Sequence, residues 1–595
     1  MSKEPKRNVY VGHRYVPLIM DEWDNTKSYE GLSIVTYQGG SYTSKKHVPI
    51  GIDITDNDYW SMTGNYNAQI EHYRQEVRDV QENVDILSND LDVSIGTIND
   101  EISKTLKKDL YFIDVKDFGA MGDGITDDTE SINNAITYAS ENNIEEVRFT
   151  SGTYMIKAND GETIVYGNRG GIALKDNITL KLDDNTVLKA IPNEDQGYNI
   201  IRGRNVNNVK IIGGTIQGER NEHQGVDGEW GHGINLRDCN NVYIRTRCID
   251  CWGDGIFLGG GSSPTKNVVI ENTISDNNRR QGLSMVYTEN VKIYNSHFTN
   301  TNGTYPEAGI DMEPSNANES VINTSIINCN FSGNRKTGVL LHGKFGDIKE
   351  TYINNSTFDS NEIGIRLEED KTSNVYLTDI IISNSTLRAF NINNNASNID
   401  VNNLKGINNS NDFRVQLGNN IKLRNSTLGS ISFLNGCENI ELNNITLIKE
   451  ETQYMLYVEQ VSKFNIINSH FKGNTSLGIR FLESSYVVIE GNIITGIEKY
   501  GITANIKDSI IRNNTFLDIG DETSEFIIEL TSFSHRNNIT NNVARSSKTD
   551  KPINGVRLSS TPQNNYITNN DFYGAYSDVV VLDNEQGNNI IENNR

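Results

Sequence analysis

The sequence predicts a mainly β protein, most of which is a parallel β-solenoid, preceded by a small β module and a short coiled coil. Short apolar strand segments end at Asn-containing turns from Asn177 to the last residues of the chain. A glycine motif also recurs, with successive spacings of 22, 27, 27, 29 and 26 residues, at Gly233, Gly255, Gly282, Gly309, Gly338 and Gly364. One coil of a solenoid occupies a period of this length, so both patterns predict stacked coils.

The length and charge of the chain limit its class. A chain of 595 residues is too long for one globular core, whereas each coil of a solenoid buries its apolar face only against neighbouring coils. The net charge is −24, which argues against binding to nucleic acid or to an anionic membrane. A polyanionic substrate would therefore need a local basic patch.

Residues 1–66 are predicted to form a small β module, because short strand segments alternate with glycines there. The aromatic and glycine pattern of this region resembles small chitin-binding-type modules of secreted glycosidases and phage tail proteins; its residues are Trp23, Tyr29, Gly31, Val35, Tyr37, Gly39, Tyr42, Ser44, Gly51 and Trp60. The resemblance implies a carbohydrate-binding-like module or one that attaches the protein to a larger particle.

Residues 67–110 carry apolar residues at alternating steps of three and four, the a/d pattern of a coiled coil. The seam is Ile70, Tyr73, Val77, Val80, Val84, Leu87 and Leu91, and a stutter then leads to Ile95, Ile98 and Ile102. The competing interpretation is one amphipathic helix lying on a core. β-Branched residues at both seam positions favour more than two strands, so we expect a trimer.

Residues 111–162 are predicted to start the β-helix, with strand, glycine turn, helix and strand in that order. Asp127 and Glu130 provide an N-terminal helix signal, and the apolar face is Ile132, Ala135, Ile136 and Ala139. A phosphate-binding glycine loop is disfavoured, because neither G-x-G-x-x-G nor a Lys-Ser/Thr pair is present. Residues 114–136 resemble the first motif of the pectate-lyase-like superfamily, which implies that residues 163–595 form a right-handed parallel β-helix capped by this helix.

The order of module, coiled coil, cap and β-helix resembles the appendage (tail-spike) proteins of small podoviruses that infect Gram-positive bacteria. That family implies a homotrimeric virion protein that contacts other tail or collar proteins and binds a host surface glycopolymer such as wall teichoic acid. Several of its members degrade that polymer. Consistent with a virion protein released by lysis, the N-terminus lacks the apolar run of a signal peptide and no stretch of about 20 apolar residues predicts a membrane span.

The five cysteines fit neither a disulfide framework nor a zinc site. Cys239, Cys248, Cys251, Cys329 and Cys437 are odd in number and scattered. We expect them to be buried thiols in the solenoid core.

Candidate catalytic residues follow from the glycine motif. One and three positions after each glycine the residues are apolar and are predicted to point inward; those two and four positions after it, and the one before it, are predicted to point outward. Asp311 and Glu313 then share one outer face at a Cα separation of ~7 Å, and Asp254 lies ~10 Å away, two coils earlier. Glycoside hydrolysis needs two carboxyl groups at ~5 to ~9.5 Å, so these three are the acid/base candidates.

Candidate substrate-binding residues surround these acids in the sequence. Arg279 and Arg280 could bind an acidic group, and the aromatic rings of Trp230, Trp252 and Tyr287 could stack on sugars. His232 and His342 occupy the outward columns beside the candidate acids. Gly231-His232-Gly233 matches one element of the polygalacturonase motif set, but it precedes the acids, so that mechanism is not transferred.

Four alternatives remain open from the sequence. Asp311 and Glu313 could hold a divalent metal with His342 or Asp254 in a phosphodiesterase, although a glycosidase would require no cofactor. The same groove could belong to an adhesin without turnover, and each charged residue could simply be solvated. A secreted bacterial β-helix enzyme is the remaining class, disfavoured by the missing signal peptide.

Overall fold

A computed structural model describes residues 17–65, 112–159, 170–450, 453–532, 534–583 and 587–595. The chain divides into two compact units, residues 1–110 and residues 111–595. The predicted coiled coil of residues 67–110 lies outside the described residues, so it stays a prediction.

The N-terminal unit contains a four-stranded sheet. Strands β1–β4 are Leu18–Glu22, Ser33–Tyr37, Gly40–Ser44 and Trp60–Asn65. The first pair is parallel and the next two are antiparallel. Tyr29, Val35, Val48, Ile54 and Trp60 form its buried core, so Trp60 stabilises the module and offers no free ring for a sugar.

The second unit is a parallel β-solenoid of about 18 coils, as predicted. From its start to the end of the site region, β5–β29 are Phe112–Asp114, Asp123–Asp127, Glu146–Phe149, Gly152–Ile156, Ile172–Ala173, Thr179–Leu182, Thr186–Ala190, Gly197–Arg204, Asn207–Gln217, Trp230–Arg237, Asn240–Ile249, Asp254–Gly259, Thr265–Glu271, Ile274–Asp276, Gln281–Met285, Thr288–Tyr294, His297–Thr299, Ala308–Met312, Ser320–Ile327, Asn330–Ser332, Thr337–His342, Asp347–Asp359, Ile363–Glu368, Thr372–Ser383 and Arg388–Asn393. Beyond the site region, β30–β51 are Ser397–Ile407, Phe413–Gln416, Asn419–Arg424, Thr427–Leu428, Ile431–Leu434, Glu438–Asn443, Thr446–Ile448, Tyr454–Glu459, Ser462–Ile467, His470–Lys472, Leu477–Glu490, Ile493–Thr495, Tyr500–Lys507, Ile510–Arg512, Thr515–Leu517, Phe526–Thr531, Asn538–Thr540, Val543–Arg545, Asn554–Ser559, Tyr566–Thr568, Val579–Asp583 and Ile590–Glu592.

Each coil in the site region contributes strands to three parallel ladders. The first ladder runs through Asp254–Gly259, Gln281–Met285, Ala308–Met312, Thr337–His342, Ile363–Glu368 and Arg388–Asn393. We call the outer side of this ladder the site face. The second ladder begins on each coil just after it, as in Thr265–Glu271 paired with Thr288–Tyr294, and the third contains three-residue strands such as Ile274–Asp276.

The start of the solenoid differs in two respects from the prediction. Helix α1 is Thr129–Glu141 and buries Ile132, Ala135, Ile136 and Ala139 as expected, but its N-cap residue is Asp128. The Asp128 carboxylate is buried and accepts hydrogen bonds from the amides of Met121 and Gly122, so it holds the glycine turn against the helix. Solenoid pairing also begins at Phe112, not near Thr163, because Phe112–Asp114 already pairs with Glu146–Phe149.

The apolar core follows the predicted alternation. The side chains predicted to point inward are fully buried; they are Ile256, Leu258, Leu283, Met285, Ile310, Met312, Val339 and Leu341. Each repeated glycine lies where the next coil comes close: a Cβ on Gly309 would approach the carbonyl oxygen of Gly338 to 2.7 Å, and one on Gly282 would approach that of Gly309 to 2.4 Å. The glycines therefore recur once per coil because a side chain at these positions would collide with the backbone of the next coil.

Asparagines serve the two scaffold roles that the sequence indicates. Many adopt the left-handed conformation at turns, including Asn208 and Asn241, where the Asn241 amide donates to the Asn208 side chain at 2.7 Å. Other asparagines form a buried ladder, in which Asn514 donates to Asn542 and Asn542 donates to Asn570, both at 2.9 Å. Stacked amides of this kind satisfy buried backbone groups from coil to coil.

The five cysteines are buried, unpaired thiols, which confirms their predicted core role. Among the described residues no helix is long and apolar enough to cross a membrane.

Candidate functional site

A cavity of about 400 Å³ opens on the site face. Its lining combines acidic, basic, aromatic and amide side chains from five successive coils; the residues are Gly197, Trp230, His232, Asn235, Arg237, Phe257, Arg280, Ser284, Val286, Glu313, Ser315, Asn316 and Glu319. Four of the predicted site residues, Trp230, His232, Arg280 and Glu313, line this cavity. Asp254 and Asp311 do not line it; both lie beneath the surface, at 0% and 1% exposure.

Arg280 connects the cavity to the buried carboxylate of Asp254. Its Nη1 lies 3.2 Å from both Asp254 carboxylate oxygens, and its Nε donates to Glu229 at 3.1 Å. Burial raises the pKa of Asp254 to about 6, and the Arg280 charge opposes this rise. Burial lowers the pKa of Arg280, but the charges of Asp254, Asp311 and Glu229 together raise it above its ordinary value. Arg280 therefore remains a cation, held rigidly at the cavity wall by a buried partner.

His232 lies next to Asp254 and also reaches the cavity. Its Nδ1 is 3.4 Å from the nearer Asp254 carboxylate oxygen. Burial and the neighbouring Arg280 charge lower the pKa of His232 well below its ordinary value. The imidazole is therefore neutral at physiological pH and can exchange hydrogen bonds with a polar ligand.

Asp311 is outward in register, as predicted, but it is covered. It pairs with Ser284 on the preceding coil and Leu340 on the next, and its Oδ2 accepts a 2.6 Å hydrogen bond from the Gln281 amide. Burial, together with the nearby Glu313 charge, raises the pKa of Asp311 to about 7. Asp311 thus retains a proton at a pH where ordinary aspartates are ionised.

Glu313 lies two residues beyond Asp311 and has the opposite protonation behaviour. Its Oε1 is 3.0 Å from Nδ1 of His342, and this hydrogen bond lowers the pKa of Glu313. The same contact raises the pKa of His342. One strand end therefore places an ionised carboxylate in the cavity lining and a carboxyl that retains its proton just below the surface.

Two predicted binding residues are used within the fold. Trp252 is 9% exposed: the His223 ring stacks on it at 3.8 Å, and the Arg279 guanidinium lies 3.8 Å from its ring centre. Arg279 also donates to the carbonyl oxygen of Gly228 at 2.6 Å. Trp252 is therefore covered and offers no free ring to a sugar, contrary to the expectation. Arg279 is half-buried, and its role as an anion clamp stays a prediction.

Two further predicted binding residues, Tyr287 and His342, lie outside the cavity lining. Tyr287 does not line the cavity; its ring packs near Gly260. His342 reaches the site only through Glu313. Sequence reasoning missed Asn235 and Arg237, which stand in the predicted outward columns, and Glu319, which lies in an irregular segment where no periodicity indicates its direction.

The metal alternative gains no support from side-chain placement. Within the described ranges, no three His, Cys, Asp or Glu side chains are grouped so that they could hold a metal ion. Asp311 is turned toward Gln281, and Glu313 toward His342.

Comparison with family models supports the predicted solenoid class. A right-handed β-helix region matches residues 429–572, and a pectate-lyase-like family of rhamnogalacturonase A and epimerases matches residues 112–168. The second match covers the capping motif. The resemblance to pectate-lyase-like β-helices is therefore confirmed for these parts of the chain.

The curated relatives come from the bacterium Bacillus subtilis and from a Bacillus phage. The uncharacterized protein YclG of Bacillus subtilis strain 168 is 30% identical over 272 residues, 41% of this chain and 47% of the relative. The preneck appendage protein of Bacillus phage PZA is 26% identical over 211 residues, 31% of this chain and 23% of the relative. This chain thus spans about half the length, or less, of the curated relatives it matches.

A solved structure extends the fold comparison. The N-terminal fragment of gene product 12 of bacteriophage phi29 matches 80% of this chain and 94% of its own length, with 16% identity and a TM-score of 0.50. At this identity the likeness shows the fold alone. Together with the sequence match to a preneck appendage protein, it confirms the resemblance to phage appendages that the order of elements predicts.

Proposed function

We propose that this chain is a phage appendage protein that binds a host surface polysaccharide, such as wall teichoic acid or a capsule-like polymer, and hydrolyses it at Glu313. Sequence similarity to a preneck appendage protein supports the virion setting. The observation that carries the hydrolytic part is the contrast between two neighbouring carboxyls: Asp311 is buried beneath Gln281, Glu313 contacts His342 at the cavity, and these surroundings shift their pKa values in opposite directions. Pairs of carboxyls whose surroundings separate their pKa values supply the acid and the base of glycoside hydrolysis.

In the proposed reaction, Glu313 is the ionised carboxylate that touches the polymer. It either removes a proton from the attacking water or attacks the sugar directly. Asp311 holds the proton that the leaving oxygen requires. Gln281 covers Asp311, so proton delivery requires this amide to move when polymer binds.

Polymer binding is assigned to the remaining cavity wall. The half-buried ring of Trp230 offers a face for sugar stacking. Arg280 and neutral His232 offer hydrogen bonds to hydroxyl or acidic groups. Asp254 positions Arg280 and does not touch the polymer.

A binding protein without turnover is the second candidate. The burial of Asp254 and Asp311 favours it, because neither carboxyl reaches the cavity surface. In that case the Asp311 proton only limits charge repulsion beside Glu313.

Glu313→Gln distinguishes the two candidates. Wild type and variant are incubated with purified Gram-positive wall teichoic acid and capsule, and polymer length is followed by gel electrophoresis while binding is measured in parallel. We expect wild type to shorten one polymer and the variant to do so about 100-fold more slowly, with binding changed less than about three-fold. Glu289→Gln, an exposed glutamate on the second ladder, is the control with the same change of charge.

Two results would change the assignment. If wild type and Glu313→Gln both bind a polymer and neither shortens it, the protein is an adhesin. If Glu313→Gln shortens the polymer at the wild-type rate, Glu313 is not the catalytic carboxylate.

The quaternary and virion partners are part of the same proposal. A homotrimer follows from the predicted coiled coil of residues 67–110, and residues 1–66 are assigned to attachment to tail or collar proteins. The protein then acts on the virion surface after release from the host by lysis.

A further inference from the structure

Three arginines gather on the site face beyond the cavity, in a strongly acidic protein. Arg366 and Arg414 are placed in one outward column by register, with Asn391 between them on the intervening strand. Arg388 begins the same strand as Asn391. Burial is the largest cause that lowers the pKa of Arg388, and the charges of Arg414 and Arg366 lower it further. The three guanidinium groups therefore lie within electrostatic range of one another.

These arginines have few internal partners. Arg366 is paired with Glu368 at 2.6 Å, and Arg414 donates to the Gln416 side chain at 3.1 Å. In the described parts of the chain, the Arg388 guanidinium has neither a carboxylate nor a hydrogen-bond acceptor. One carboxylate thus faces three cations, which leaves the cluster about two charges positive.

Asn391 provides a second, independent observation. The residue is fully buried, and neither its amide nitrogen nor its amide oxygen has a hydrogen-bond partner among the described residues. A buried amide of this kind destabilises the fold unless a ligand or water satisfies it. Its register places it beneath the space between Arg366 and Arg414.

We propose that Arg366, Arg388, Arg414 and Asn391 form an anion subsite that binds a phosphate or carboxylate group of the polymer. The guanidinium groups offer forked donors to two oxygens of such a group, and the Asn391 amide offers a further donor. This inference rests on the proposed function, because it names the chemical class of the polymer: an acidic one.

The position of the subsite connects it to the cavity. Arg366 lies two coils beyond Asp311 in the same column, about 10 Å away by the spacing of strands. The contacts between them are continuous: His342 contacts Glu313, it pairs in register with Glu368, and Glu368 contacts Arg366. A polymer segment of a few units can therefore occupy both places at once.

The test compares Arg388→Gln/Arg414→Gln with a control that loses the same charge, Arg512→Gln/Arg536→Gln. The control arginines are exposed and each is paired with a carboxylate. Calorimetry with full-length proteins measures binding of a glycerol phosphate oligomer, an oligogalacturonate and a neutral dextran oligomer. We expect the first double variant to bind one acidic oligomer at least about ten-fold more weakly, since a lost charged hydrogen bond exceeds roughly 1.4 kcal/mol. We expect the control to bind each oligomer with wild-type affinity. The acidic oligomer whose binding weakens identifies whether the subsite recognises phosphate or carboxylate.

Other outcomes separate this inference from the proposed function. If both double variants bind the oligomers equally well, the subsite proposal is overturned and the cavity proposal stands. The same conclusion follows if wild type binds only the neutral dextran oligomer. If wild type binds no polymer, the proposed function fails and inorganic pyrophosphate decides the subsite. The subsite is supported if pyrophosphate raises the melting temperature of wild type and of the control but not that of the Arg388→Gln/Arg414→Gln protein. It is overturned if pyrophosphate does not raise the melting temperature of wild type.

Discussion

At the scale of single residues, neighbours two positions apart on one strand have different chemistry. Asp311 is covered by Gln281, and its burial outweighs the opposing charge of Arg280, whereas Glu313 receives a hydrogen bond from His342. Solvent exclusion favours the protonated form of the first, and the imidazolium favours the ionised form of the second. Asp311 must therefore affect the stability of the protein as well as any reaction.

Asp311→Asn should stabilise the protein at alkaline pH. The unfolded chain ionises Asp311 near the ordinary pKa of 3.8, whereas the folded protein retains the proton up to about pH 7. Wild-type stability therefore falls as the pH rises from about 4 to about 7, and the cost is complete above that range. The variant side chain is neutral at every pH and can still accept the Gln281 hydrogen bond. Its melting temperature should therefore exceed that of wild type by at least about 2 °C at pH 8 and equal that of wild type near pH 4.

Asp227→Asn is the matched control for this measurement, since Asp227 is exposed at the edge of the segment covering Trp252. Its melting temperature should follow that of wild type at both pH values. A lower melting temperature for Asp311→Asn at pH 8 would mean that Arg280 depends on the Asp311 charge more than on Asp254 and Glu229.

Residue placement was predictable from the sequence where strand periodicity applies. The inward residues, such as Ile310 and Met312, and the outward direction of Asp311 follow from alternation about the glycine. Accessibility does not follow from it, because Trp252 is covered by His223, a residue 29 positions earlier in an irregular segment. The same limit explains why Glu319 was missed, since it follows the strand end after Pro314 and obeys no period.

At the scale of the coil, the glycine column sets how closely successive strands approach. We expect Gly309→Ala to destabilise the solenoid, because the new Cβ would lie 2.7 Å from the Gly338 carbonyl oxygen and 3.0 Å from the Asn334 amide nitrogen. Overpacking of this kind costs about 1–3 kcal/mol. Thermal unfolding followed by circular dichroism should show a lower solenoid transition.

Gly31→Ala is the control for that substitution. Its Cβ would meet Lys46 at an ordinary 3.5 Å, in the separate N-terminal unit. The solenoid transition should not move. An unchanged transition in Gly309→Ala would show that the backbone of the next coil can yield, and that the glycines recur for another reason.

At the scale of the whole molecule, the proposed homotrimer depends on a region outside the described residues. A chain of residues 111–595 lacks the predicted coiled coil, and we expect analytical ultracentrifugation to show a single chain for it. The full protein should sediment at about three times its chain mass of 66.6 kDa. Circular dichroism of the shortened chain checks that its β-helix remains folded, since residues 111–595 form a compact unit of their own.

A different result would relocate the trimer contacts. If residues 111–595 alone still sediment as a trimer, the outer faces of the solenoid carry the association and the seam of residues 67–110 is not required. If the full chain is a single chain in solution, the homotrimer proposal fails.

Because the strands of each coil pair only with those of the coils before and after it, the length of the solenoid can change independently of its chemistry. Removing the single coil between Gly478 and Gly501, whose backbones approach as Gly309 and Gly338 do, would shorten the rod by about 4.8 Å and leave every cavity residue in place. The distance spanned is thus adjustable in whole-coil increments, so one binding surface can serve particles of different dimensions.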